Sequence, residues 1–167
     1  LTTDQTSTLT TGELRALTTG QVAALTTDQL STLTTGQTAA LTTAEVHALT
    51  TDQIQVLTTD QVSTLTTGEI AALTTAHLRN LSTDQLSTLT SSETGSLSSA
   101  QIGALTSAQF SALTTSGISG LSTASISGLT TADIIALSTD QARAFTGAQV
   151  HVMSQSQADA YVLAEEG

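Results

Sequence analysis

The chain has 167 residues and a formal net charge of −11 at pH 7, with three Arg and no Lys. Nucleic acids and anionic membranes both attract basic surfaces, so this acidic composition argues against either partner. The chain lacks Pro, Cys and Trp and has few aromatic residues, so its core must consist of Leu, Val, Ile and Ala. No apolar run approaches the roughly 20 residues of a transmembrane helix, and we expect no membrane insertion.

An octapeptide repeats about twenty times along the chain. Leu occupies its first slot from Leu1 to Leu137, and Phe145 and Met153 then take the same position. The consensus is Leu-Thr-Thr-(Asp/Gly/Ala)-Gln-(Val/Ile/Leu)-x-(Ala/Thr), and we number its slots 1 to 8. A fixed period without insertions indicates a stacked architecture, because one unit is too small to bury its own apolar face.

One repeat carries two signals for the start of a helix. Thr18 followed by Gln21 forms a capping box, in which the Thr hydroxyl accepts from the third helical N–H and the Gln side chain accepts from the Thr N–H. Leu17 before the cap and Val22 at the fourth helical position are spaced as a hydrophobic staple. The sequence therefore predicts a new helix in every octapeptide.

The capping pattern holds almost throughout the chain. Slot 2 is Thr or Ser in all twenty repeats, and slot 5 is Gln or Glu in sixteen. The four exceptions in slot 5 are His77, Gly117, Ser125 and Asp133. We expect helices of about six or seven residues, each ending near the next Leu, because helices this short need packing from neighbouring repeats to be stable.

The predicted fold is all-α, a solenoid or superhelix of very short capped helices with one helix per repeat. A continuous helix is unfavourable, because eight residues advance about 80° beyond two full turns and the Leu column would spiral around it. The alternative is a β-solenoid, since Thr, Val and Ile suit strands. The repeat does not alternate with period two, however, and has no fixed turn slot, so the helical fold is favoured.

Acidic residues in slot 4 indicate a second, longer period. When the number of each repeat that carries Asp in slot 4 is divided by 3.5, the remainders fall within a narrow range. These Asp residues therefore share one side of a coil with about 3 to 4 repeats per superhelical turn. One side of the coil should then carry an exposed acidic stripe in the first helical turns, where the helix dipole favours negative charge. The stripe consists of Asp4, Asp28, Asp52, Asp60, Asp84 and Asp140.

The repeat loses its regularity towards the C-terminus. We predict a regular octapeptide-repeat solenoid over residues 1–144 and degenerate repeats over residues 145–167, which cap the solenoid or form a junction to a partner or further domain. Residues 89–128 are rich in Ser and Gly and should be the softest part, because Gly inside a helix costs roughly 1 kcal/mol relative to Ala. The repeat runs up to Leu1, so we expect an upstream continuation.

Catalytic, cofactor-binding and metal-binding constellations are not apparent in the sequence. The three His (His47, His77 and His151) lie far apart, and clustered ligand spacing is missing. His47 and His151, both in slot 7, should face solvent. Stacked Asp side chains could bind Ca²⁺ weakly, but helix stabilisation and solubility explain them better. We therefore expect no cofactor and no enzymatic activity.

Two resemblances follow from the motif. Leu17 to Ala24 is similar to the opening helix of the DNA-reading repeats of transcription-activator-like effectors. That similarity covers only eight residues, and the chain has no counterpart of their base-reading loop. The whole chain resembles Leu-Thr-Thr-x-Gln-(Ile/Val)-x-Ala octad tracts in large secreted or surface-anchored bacterial proteins, some of them adhesin-like. This resemblance implies an exported, non-enzymatic spacer, stalk or fibre.

Two functions remain open from the sequence. The first is an extracellular or cell-surface structural protein that forms a rod, a stalk or a filament subunit, with self-association or neighbouring domains as partners. The second is a repeat binding module whose exposed Thr/Asp face recognises glycan, Ca²⁺ or ice. A nucleic-acid reader is the least favoured reading, because of the net charge of −11.

Overall fold

The computed structural model describes residues 2–166, and all regular secondary structure in this range is helical. The described residues contain nineteen α-helices and one 3₁₀ turn, with one helical element in each octapeptide. This confirms the predicted all-α solenoid of short helices and excludes the β-solenoid. The chain divides into two compact units, of which the first ends at Leu81 and the second begins at Ser82.

The first unit contains ten helices of four to six residues. They are α1 (Thr3–Ser7), α2 (Thr11–Arg15), α3 (Thr19–Ala23), α4 (Thr27–Ser31), α5 (Thr35–Thr38), α6 (Thr43–Ala48), α7 (Thr51–Gln55), α8 (Thr59–Val62), α9 (Thr67–Ala72) and α10 (Thr75–Asn80). The helices pack against one another three repeats apart: α1 on α4, α2 on α5, α3 on α6, and so on to α7 on α10. Within this unit, the short helices thus wind into a coil.

The second unit contains nine α-helices and the 3₁₀ turn at Ser125–Gly128. The helices are α11 (Thr83–Ser87), α12 (Ser91–Ser96), α13 (Ser99–Ile102), α14 (Ser107–Phe110), α15 (Thr115–Gly120), α16 (Thr131–Ile135), α17 (Thr139–Ala142), α18 (Gly147–His151) and α19 (Gln155–Glu166). Packing again joins elements three repeats apart, such as α12 with α15 and α13 with the 3₁₀ turn. The final helix α19 is longer, with 12 residues, and contacts both α16 and α17.

Slot 2 starts the helices as the sequence predicts. In every helix from α1 to α18, the Thr or Ser directly before the helix accepts a hydrogen bond from the backbone N–H three residues later. At α3, the Gln21 N–H donates to Thr18 Oγ1 over 3.3 Å, and the Thr18 N–H donates to Gln21 Oε1 over 2.8 Å. The capping box satisfies N–H groups that a helix start leaves without partners.

The helices end without a glycine cap. Up to α18 they contain four to six residues, so the five six-residue helices match the predicted six or seven and the others are one or two residues shorter. After α3, the Leu25 N–H donates to the Val22 carbonyl over 3.1 Å, a 3₁₀-type bond that closes the last turn. No residue in the range 2–166 has a positive φ. The chain instead becomes extended around each Leu and enters the next cap directly.

The core is built from slots 1 and 6. Slot-6 residues such as Val22, Ile54 and Leu78 are fully buried, and slot-1 residues such as Leu49 and Leu121 are nearly so. Both slots lie on the side of each short helix that meets the repeats three positions away. The apolar columns predicted from the repeat therefore form the interior of each unit, while slot 4 is exposed in every described repeat.

The glycine-rich segment contains the closest backbone approaches. A Cβ atom added to Gly95 would lie 2.6 Å from the Gly120 carbonyl oxygen, and one added to Gly120 or Gly128 would overlap the backbone of Ser91 or Ser99, respectively. Gly is therefore required where α12 meets α15 and where α13 meets the 3₁₀ turn. Softness of residues 89–128 stays a prediction, and so does the role of residues 145–167 as a cap.

Candidate functional site

Slot 5 carries the most extensive polar contacts in the fold. The Thr50 N–H donates to Gln53 Oε1 over 2.8 Å, which closes the capping box of α7. Gln53 Nε2 donates to the carbonyl oxygens of Leu25, over 2.7 Å, and Val22, over 3.0 Å. The side chain is only 2 % exposed. One buried amide thus caps its own helix and binds the preceding turn of the coil, an arrangement we call the Gln latch.

The Gln latch recurs with constant spacing. Its amide nitrogen donates to a slot-1 carbonyl 28 residues earlier and, in most cases, to the slot-6 carbonyl 31 residues earlier. A distance of 28 residues corresponds to 3.5 repeats, which agrees with the predicted 3 to 4 repeats per turn. The other members of the series are Gln37, Gln61, Gln141, Gln149 and Gln157.

The sequence predicts only the local half of this contact. Gln fills slot 5 in twelve repeats and Glu in four, although a Glu closes a capping box as well as a Gln. Only Gln also offers an N–H donor. The preference for Gln is therefore the signal in the sequence that points to an acceptor in another repeat.

The four exceptions in slot 5 behave in two ways. His77 closes the box through Nδ1, and Asp133 closes it through Oδ2, which lies 2.8 Å from the Thr130 nitrogen. The other oxygen of Asp133 accepts from the Ser107 hydroxyl over 2.7 Å. Gly117 has no side chain to close the box, and Ser125 begins the 3₁₀ turn in place of an α-helix. Two of the predicted exceptions thus preserve the interaction with different chemistry.

Slot 7 makes contacts that the sequence did not indicate. The Arg15 side chain donates from Nε to the Ala40 carbonyl over 3.2 Å, and His47 Nδ1 lies 2.8 Å from the Ala72 carbonyl oxygen. Both pairs are 25 residues apart. His47 and His151 are exposed, as expected from their slot, but His47 is also bonded to a neighbouring turn of the coil. Slot 7 therefore contributes to packing between turns.

The predicted acidic stripe lies on the surface. All six of its Asp residues are exposed and occupy the first turn of their helices. The helices that carry Asp4, Asp28 and Asp52 form one stack, because α1 packs on α4 and α4 on α7. Asp60 lies on α8, which packs on α5, and Asp84 and Asp140 belong to the second unit. A single stripe through all six stays a prediction.

The structure offers little support for a metal centre. Among residues 2–166, no group of three or more His, Cys, Asp and Glu side chains is placed to hold a metal ion. None of the helices described is long and apolar enough to cross a membrane.

Three titratable side chains have perturbed pKa values. Hydrogen bonds from the Thr10 N–H and hydroxyl to its carboxylate lower the pKa of the exposed Glu13. Burial raises the pKa of Tyr161, and the hydrogen bond and negative charge of Glu165 raise it further, while Arg143 opposes the shift. Burial lowers the pKa of His77. Only His77 is both buried and part of the contact between turns.

Comparison with known proteins finds one family model that matches part of the chain. Residues 8–43 and 35–67 match the family model of the ALTTAQ repeat. The ALTTAQ description runs from slot 8 of one octapeptide to slot 5 of the next, and therefore includes the cap and the latch residue. The two matches lie in the first unit, and their similarity supports a short-repeat family. No curated protein and no solved structure matches the chain.

The remaining surface features lie near the ends of the described chain. A groove of about 390 Å³ beside α3 and α4 is lined by Leu17, Gln21, Leu25 and Gln29, among others. A second groove of about 380 Å³ is lined by residues such as Leu129 and Met153. In the second unit, four large apolar side chains are about half exposed, namely Ile135, Val152, Val162 and Leu163. Neither groove brings together residues with catalytic chemistry of the kind found in enzymes.

Proposed function

We propose that this chain is a non-enzymatic, extracellular structural repeat protein that forms a rod, a stalk or a filament subunit. The observation that carries this proposal is the Gln latch, because the Gln side chains that recur in slot 5 of the interior donate to carbonyls of another turn of the coil. Each added repeat supplies the same cap, the same apolar columns and the same latch. Such a fold can change in length without changing its local contacts, as a spacer requires.

The composition supports the extracellular part of the proposal. An acidic chain rich in Thr and Ser, without Lys, resembles exported bacterial repeat tracts, and the lack of Cys is compatible with an oxidising environment. Exposed Asp residues in slot 4 keep such a repeat soluble while they stabilise helix starts. The partners are then further copies of the chain or neighbouring domains.

Small-angle X-ray scattering of length variants tests the structural role. Removal of residues 17–72 deletes seven repeats, or 56 residues, and leaves the spacing between caps unchanged. We expect the maximum dimension of the purified protein to fall in proportion to the residues removed, because a spacer has constant length per repeat. A maximum dimension that does not change with repeat number contradicts the proposal, as does fractionation that places the native protein in the cytoplasm.

A binding module is the second candidate, and one observation favours it. Slot 4 is exposed in every described repeat, and Asp4, Asp28 and Asp52 lie on helices that stack directly on one another. Such a face could bind Ca²⁺ or glycan through repeated carboxylate and hydroxyl groups. Calorimetric titration with Ca²⁺ tests this candidate, with the triple variant Asp4→Asn, Asp28→Asn and Asp52→Asn as control. Ca²⁺ binding that the triple variant loses would favour a binding function over a purely structural one.

A further inference from the structure

His77 is a buried histidine in the slot that Gln normally occupies. The Thr74 N–H donates to His77 Nδ1 over 3.3 Å, and His77 Nε2 lies 2.8 Å from the Leu49 carbonyl oxygen. The residue is only 5 % exposed. It therefore repeats the geometry of the Gln latch, with Nδ1 in place of the amide oxygen and Nε2 in place of the amide nitrogen.

The two partners of His77 determine the protonation state of the ring. A carbonyl oxygen can only accept a hydrogen bond, so Nε2 must carry a hydrogen; a backbone N–H can only donate, so Nδ1 must not. Both bonds exist only for the neutral ring with its hydrogen on Nε2. A second proton on Nδ1 would face the Thr74 N–H and break the half of the α10 capping box that the ring closes, while the His77 N–H still donates to Thr74 Oγ1.

We propose that His77 is an acid-sensitive latch: the neutral ring both closes the capping box of α10 and bonds Leu49, whereas the protonated ring keeps the Leu49 bond and opens the capping box. Leu49, which accepts the latch bond, ends α6 and leads into α7, and α10 packs directly on α7. Protonation thus removes the Thr74 bond and places a charge in a buried site, which weakens α10 where it packs on α7. This device is independent of the proposed structural function.

The surroundings of His77 favour its neutral form. Burial lowers its pKa, the nearby His47 lowers it further, and the hydrogen bond to Leu49 only partly compensates. The charged groups on the surrounding helices are Asp52 on α7, Arg79 on α10, and His47 and Glu45 on α6, and all of them except Glu45 are exposed. Glu45 is the one buried carboxylate on these three helices, and it accepts from the Thr42 N–H; the charge that acts on the pKa of His77 is that of His47.

The sign of the pH effect follows from this shift. A His in an unfolded chain has a pKa of about 6.5, and His77 titrates below that value in the folded protein. The unfolded chain therefore binds the proton more readily, and the contribution of His77 to stability is complete above about pH 6.5. That contribution is lost as the pH falls through the folded pKa.

His47 provides an internal contrast. Its Nδ1 faces the Ala72 carbonyl oxygen, so this nitrogen donates, and the bond persists when the ring is protonated. His47 is also exposed, whereas His77 is buried. Acid thus breaks the bond between Thr74 and His77 and leaves the bond between His47 and Ala72 intact.

Hydrogen exchange of α10 amides at pH 7.5 and pH 5, corrected for intrinsic exchange rates, tests the latch. The wild-type protein should lose protection in α10 at pH 5. The variant His77→Gln introduces the consensus latch residue, which does not titrate, and should keep its protection at both pH values. The control variant His47→Gln removes a histidine from the same region and should still lose protection at pH 5, as the wild type does.

Two results would overturn the proposal. One is equal acid sensitivity of α10 in His77→Gln and in the wild type. The other comes from NMR titration of His77 in the wild type, which needs no variant to fold: its pKa should lie below the ordinary histidine value of about 6.5. A pKa for His77 at or above about 6.5 would show that protonation does not open the capping box of α10.

Discussion

Both units bring slot 7 of one repeat against slot 8 of a repeat in the next turn of the coil, but the groups that meet differ. In the first unit, Arg15 and His47 in slot 7 reach across to slot-8 carbonyls 25 residues later. In the second unit, Gly95 in slot 7 meets the carbonyl of Gly120 in slot 8, also 25 residues later, with no side chain between the backbones. Slot 7 therefore determines whether adjacent turns are joined by a side-chain hydrogen bond or by backbone contact.

This difference shows which part of the repeat is fixed and which part is adjustable. Cap, apolar columns and Gln latch are alike in both units, as Gln53 in the first and Gln149 in the second illustrate. Slots 7 and 8 hold long side chains, small side chains or Gly, and the 28-residue spacing of the latch contacts stays the same. The latch sets which repeats meet, and slot 7 sets how closely they approach.

Loss of the latch should have the largest effect. In Gln53→Leu, the Thr50 N–H and the Leu25 carbonyl lose the bonds that Gln53 makes to them, while the Val22 carbonyl keeps its bond from the Leu25 N–H. A buried group without a partner costs about 1 to 3 kcal/mol, so we expect the free energy of unfolding to fall by about 3 kcal/mol, measured by urea denaturation. Gln53→Glu keeps the cap and loses only the donor, so its loss should be smaller. Equal losses in the two variants would mean that the cap contributes nothing.

A methyl group at the closest backbone contact should have the next largest effect. Gly120→Ala places a Cβ against the Ser91 backbone, and we expect the resulting overpacking to lower the free energy of unfolding by about 2 kcal/mol. The matched control is Gly68→Ala in the first unit, where the nearest atom to the new Cβ, Thr66 Oγ1, lies 3.9 Å away. In that control, the higher helix propensity of Ala should raise the free energy of unfolding by about 0.5 to 1 kcal/mol. If both variants shift thermal stability in the same direction, the backbone contact is not a constraint.

Removal of a slot-7 side chain in the first unit should have the smallest effect. His47→Ala deletes one exposed hydrogen bond to the Ala72 carbonyl, which we expect to cost about 0.5 to 1 kcal/mol. Ser63→Ala in the same slot is the control, because the Ser63 hydroxyl donates only to the Asp60 carbonyl of its own helix. Chemical denaturation of both variants compares the two contacts. If Ser63→Ala lowers the free energy of unfolding as much as His47→Ala does, the slot-7 side chain does not contribute to packing between turns.

Local features of this fold could be predicted from the sequence, and contacts between repeats could not. Thr18 and Gln21 are three residues apart, so their capping box follows from the local pattern. The second bond of Gln53 ends 28 residues away, and its acceptor is a backbone carbonyl, which every residue has and no pattern distinguishes. The same holds for Arg15 and Ala40. The acidic residues in slot 4 reveal the period of the coil but not which atoms meet.

A change at Glu45 tests the Gln latch most directly. Glu45 is 2 % exposed and accepts from the Thr42 N–H, but its carboxylate has no N–H to donate. The spacing of 28 and 31 residues places the carbonyls of Leu17 and Leu14 opposite its side chain. Glu45→Gln should therefore raise the free energy of unfolding by about 1 kcal/mol, since it completes a latch that the wild type lacks.

The control for this measurement is Glu13→Gln, because Glu13 closes the same capping box but is fully exposed. It should give no gain. If slot 5 acts only as a helix cap, neither variant is stabilised, since Glu caps a helix as well as Gln does. Urea denaturation of Glu45→Gln at pH 7 decides between the two views. A gain supports the latch, and an unchanged or lower stability contradicts it.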